Sequence, residues 1–178
     1  MSRLLLLLLP ACWSPKDTGP TSMVGHLRDS SGQPLAGVHA HTPESHWTTD
    51  AEGAFRVNYK DPSLWVRFDV ADVVWQRAYL PEDRGTVVEV RLPSLEAGTV
   101  RCDVAAPCDA ELRWEVAPGL HALLALSCPA GGDVAREALP PGSPTRATCR
   151  TTATAPAQPL SALRQPDGTL RLALEGAP

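Results

Sequence analysis

Turn-forming residues divide this chain so regularly that no long helix fits between them. From Met23 onward, clusters of Gly, Pro, Asp and Ser recur roughly every 8–12 residues, and the stretches between them alternate apolar with polar side chains. Period two marks a strand with one face buried, and no window of about 11 residues carries the i, i+3, i+4 stripe of a helix. The expected fold class is all-β, with short strands packed as a sandwich.

In the first half the strand candidates are "MVGHLRD", "LAGVHAHT", "HWTTD", "AFRVNY", "SLWVRFDV", "VVWQRAY" and "TVVEVRL". In the second half they are "GTVRCDV", "AELRWEV", "HALLALSC", "TRATCRT" and "GTLRLAL". "GGDVAREALPP" is the most helix-like stretch, and its two prolines end it. The closing "QPDGTLRLAL" echoes "EDRGTVVEVRL" at the end of the first half, which raises a tandem repeat. Two modules are expected, over residues 23–93 and 98–175.

The stretch "VGHLRDSSGQPLAGVHAHTPESHWTTDAEGAFRV" resembles the opening of the carboxypeptidase regulatory-like domains, small sandwiches of the transthyretin-like type. Asp29, Gly32, Pro34, Leu35, Gly37, Thr48, Thr49, Asp50, Gly53 and Phe55 fall in register with that motif. The resemblance implies a seven-stranded Greek-key sandwich for the first module. Physically, these are bending residues. Gly32 and Gly53 stand where positive φ is often needed, and Asp29 and Asp50 stand where a short carboxylate can accept backbone N–H bonds.

Residues 1–11 read as a secretory signal: Arg3 supplies positive charge and Leu4 to Leu9 an apolar run. That run is far short of the roughly 20 residues a membrane helix needs. "LPAC" resembles a bacterial lipobox, which implies cleavage before Cys12 and lipid on its sulfur. Residues 12–22, polar with two prolines, would then be a tether. A single acyl chain binds membranes only marginally, so stable anchoring implies several. The expected location is the bacterial cell envelope. By resemblance to Gram-negative lipoprotein sorting, in which Asp after the cysteine retains a protein at the inner membrane, Trp13 implies the outer membrane.

Five cysteines suit that compartment. With Cys12 lipidated, Cys102, Cys108, Cys128 and Cys149 remain as disulfide candidates, and the preferred pairing is Cys102–Cys108 with Cys128–Cys149. Their spacing lacks the tight Cys-x2–4-Cys knuckle of structural zinc. The net charge of −4, without a basic run, argues against nucleic acid as a partner.

Three histidines carry the weak metal reading. His39 and His41 leave the same face of a strand, and His46 follows closely, a set suited to Zn²⁺ or Cu²⁺ if an acid joined them. The blander reading is an exposed polar face, with Val38, Ala40 and Thr42 pointing inward. Trp47 and Trp75 are the candidates for stacking on a glycan or docking a protein. Tryptophans in so small a sandwich more often fill the core. No Gly-x-Ser-x-Gly elbow, catalytic-cysteine signature or His-Glu-x-x-His is present. The sequence therefore predicts a non-catalytic envelope module without a cofactor, its partner an envelope protein or glycan.

Overall fold

The bending residues do their work through backbone hydrogen bonds. In a computed structural model, residues 21–59, 65–80, 83 and 85–175 are described. The Asp29 carboxylate accepts bonds from the Ser31 amide (2.9 Å), the Ser31 hydroxyl (2.7 Å) and the Gln33 amide (2.9 Å). The Ser31 hydroxyl is the largest of several influences that hold its pKa below the ordinary carboxylate value. Asp50 accepts from the Glu52 amide (3.1 Å) and the Ala54 amide (2.8 Å). Thr49 is buried; its hydroxyl donates to the Leu35 carbonyl (2.6 Å) and accepts from the Val38 amide (2.9 Å). These polar side chains are occupied in holding turns.

Between the turns lie strands. The first half contains β1 (Thr21–Arg28), β2 (His39–Thr42), β3 (Ser45–Thr48), β4 (Ala54–Tyr59), β5 (Trp65–Val70), β6 (Val73–Ala78) and β7 (Val87–Arg91). The second contains β8 (Glu96–Asp103), β9 (Cys108–Ala117), β10 (Leu120–Cys128), β11 (Gly132–Leu139), β12 (Arg146–Arg150), β13 (Gln158–Arg164) and β14 (Leu170–Leu174). β1 starts at Thr21, inside the stretch expected to be tether. Cys12 and the expected signal lie outside the described residues.

The two halves share one strand order. In the first, β4-β1-β7 form one layer and β3-β2-β5-β6 the other. β1 runs antiparallel to β4 and parallel to β7. In the second, β8 runs antiparallel to β11 and parallel to β14, and β10-β9-β12-β13 repeat the four-stranded order. Two differences matter. β13 also pairs with β14, so the second half's layers are continuous at that side. And β6 pairs antiparallel with β10, which joins the halves edge to edge.

Alternation fills the space between layers. Met23, Leu27, Phe55, Val57, Val88 and Val90 from one layer meet Val66, Phe68, Val73 and Trp75 from the other, all buried. The Phe55 and Phe68 rings touch edge to face at 5.0 Å between centroids. Each such side chain contributes roughly 1.5–3 kcal/mol by burial. Leu112, Leu124, Leu139, Leu170 and Leu172 are fully buried counterparts in the second half.

The most helix-like stretch, "GGDVAREALPP", holds strand β11, paired with β8, in keeping with the all-β fold. Two expectations for the second half need correction. β13 matches none of the strand candidates. The cysteine pairing also differs: Cys108 and Cys128 are register partners within one layer, and it is Cys128 that meets Cys102 across the layers. Cys102 on β8 is bonded to Cys128 on β10, with the Cα atoms 5.6 Å apart, while Cys108 and Cys149 are buried thiols.

Candidate functional site

Cross-strand register organises the large sheet into rows. One row runs Trp47, Ala40, Phe68, Trp75, Ala122 and Trp114, each the register partner of the next across β3, β2, β5, β6, β10 and β9. Every member but the first is buried; Trp47 is 47% exposed. The reason is positional. β3 ends the sheet order, so no strand lies beyond it to cover the indole.

The neighbouring row faces the other way. It runs His46, His41, Arg67, Gln76, His121 and Glu115 across the same six strands. The His41 and His46 rings stack at 5.9 Å between centroids, and His41 Nε2 lies 3.5 Å from an Asp69 carboxylate oxygen. His39 Nδ1 lies 3.4 Å from the Thr48 hydroxyl. His39, His41, His46 and Asp69 line a surface depression beside Trp47. They share that surface without converging: among the described residues no group of three or more His, Cys, Asp or Glu side chains is arranged to hold a metal ion.

Farther along the row, His121 and Arg113 both pack on Trp65. The His121 ring meets the indole edge to face at 4.9 Å, and the Arg113 guanidinium lies 5.8 Å from the indole centroid. Burial, with a smaller push from Arg113, lowers the His121 pKa below its ordinary value.

Trp75 offers no surface for stacking, so its assignment as a ligand-binding residue is corrected. It is fully buried on β6, which lies between β5 and β10 in the sheet, and its Nε1 has no hydrogen-bond partner. Trp47 remains the exposed indole. Trp47 and Trp75 both lie in strands, β3 and β6. What separates them is the position of each strand in the sheet, edge against interior.

No protein-family model matches the chain, and no curated protein matches it. Among solved structures, a streptococcal ancillary pilin is similar at 11% identity and a TM-score of 0.30, over 90% of this chain and 64% of the pilin chain. At that score the likeness carries no argument about function.

Proposed function

We propose that this protein is a non-catalytic scaffold or binding module of the bacterial cell envelope, lipid-anchored through Cys12. It engages an envelope protein along the open edge of β3. The first module is of the carboxypeptidase regulatory-like type, by the residues from Asp29 to Phe55. The observation that carries the reading is Trp47: an indole at the end of an otherwise buried aromatic row, half exposed for want of a neighbouring strand. Within the chain itself, β10 occupies the equivalent edge of the second half, and β6 covers it. A large apolar ring on an uncovered edge suits strand addition by a partner. The motif's carboxylates and hydroxyl brace turns, which leaves little for chemistry.

The test is photo-cross-linking in native envelopes, with the reactive side chain at position 47 or, as control, at exposed Val87 on β7. Adducts from position 47 alone support the reading, and equal yields from both positions overturn it. A fatty-acid analogue tests the anchor. It should label the wild type and leave Cys12→Ser unlabelled.

The exposed indole beside His39, His41 and His46 also favours a second reading, a glycan-binding face. In that case a glycan array shows binding that Trp47→Ala abolishes while the fold persists.

A further inference from the structure

The second half gathers four buried cysteines, of which two are joined. Cys102 and Cys128 tie β8 to β10 across the layers. Cys108 is the register partner of Cys128, on the neighbouring strand β9. Cys149 on β12 stands opposite Ala110, two residues along β9 from Cys108 and therefore on the same face. Cys108 is 5% exposed and Cys149 3%, and Cys149 is among the neighbours that raise the Cys108 pKa.

Diagonal neighbours of this kind stand about 7–8 Å apart, somewhat less at Cβ, so the bond forms with a movement of β9 and β12 toward each other. A metal is not the alternative, since no third ligand joins them among the described residues. We propose that Cys108 and Cys149 are a second disulfide site, which staples β9 to β12 within one layer while Cys102–Cys128 staples the two layers together.

The oxidant is a small-molecule or protein disulfide. The two thiols give up two protons and two electrons, and one S–S bond forms between β9 and β12. The oxidant's S–S bond breaks and takes up both, leaving two thiols. Burial of both sulfurs places the reaction during folding, before the layer closes over them. Burial, with Cys149 alongside, pushes the Cys108 thiol up to about 12. In the folded chain it therefore stays protonated and does not attack the Cys102–Cys128 bond beside it, because exchange needs the thiolate.

The experiment refolds the full chain in a mixture of oxidised and reduced glutathione, blocks remaining thiols with a maleimide, and cleaves before aspartate. Asp103, Asp109 and Asp133 put the four cysteines on four separate fragments. The expected map joins fragment 103–108 to the fragment that begins at Asp133 and holds Cys149, with Cys102 joined to Cys128. Maleimide on both Cys108 and Cys149 beside an intact Cys102–Cys128 bond overturns the proposal, as does a Cys108–Cys128 bond. In the expected case the oxidised wild type melts roughly 5–10 °C above Cys108→Ser/Cys149→Ser. The fragment map decides the matter even where that variant folds poorly.

Discussion

At the scale of single residues, the two glycines Gly37 and Gly53 make an internal comparison. Both have positive φ, +73° and +74°, which costs an L side chain about 1–2 kcal/mol. Around Gly37 there is open space, whereas a Cβ on Gly53 would run into the Leu27 carbonyl oxygen. That region is fixed, because the Leu27 amide donates to Gly53 O at 2.8 Å. Gly37→Ala should therefore lower stability by about 1 kcal/mol, and Gly53→Ala by clearly more, about 3 kcal/mol. Urea unfolding compares them, and equal losses would show that the turn yields. His121 supplies a pH prediction. Its folded pKa is lowered, so the unfolded imidazole takes up a proton first as pH falls through about 6.5. The stability it contributes is present above that pH and is lost on acidification toward its folded pKa. The interval from pH 7 to pH 5 lies above the titration of Asp29 and Asp103, whose pKa values are lowered by the Ser31 and Arg171 side chains respectively. Wild type should lose more unfolding free energy over that interval than His121→Gln; identical losses would remove His121 from the account.

At the scale of elements, legibility follows burial. β4 was readable to the residue, because Phe55 and Val57 are buried and alternate with the more exposed Ala54, Arg56 and Asn58. β11 was not. Its outer row of Asp133, Ala135 and Glu137 is exposed and its inner row only half-buried until Leu139, so helix-forming Ala, Glu and Arg dominate a strand held by pairing with β8. In β13 the alternation is spoiled by Leu163, 61% exposed, and Pro159 lacks the amide expected of an inner strand. The cysteine pairing depends on which strands face across the layers, which sequence spacing does not encode. The outward direction of His39 and His41 follows from period two alone. The exposure of Trp47 does not, since it requires knowing that β3 ends a sheet.

At the scale of the molecule, the join between the halves decides how the protein unfolds. Tandem modules linked only by a tether melt independently. Here four residue pairs, from Leu120↔Arg77 to Leu123↔Val74, continue the sheet from one half into the other, and the Ala78 amide donates to Gly119 O at 2.8 Å beside them. The buried row from Phe68 through Trp75 and Ala122 to Trp114 crosses the same join, within one hydrophobic cluster that includes residues of both halves. Melting the second half alone would uncover Trp75 and leave the β6 edge unpaired; melting the first would do the same to β10. Each half thus raises the cost of losing the other. Calorimetry should give one transition, with an enthalpy near 0.7 kcal/mol per residue around 60 °C and a calorimetric-to-van't Hoff ratio close to one. Two resolved peaks, or a ratio near two, would mean that the β6–β10 pairing is too weak to couple the halves.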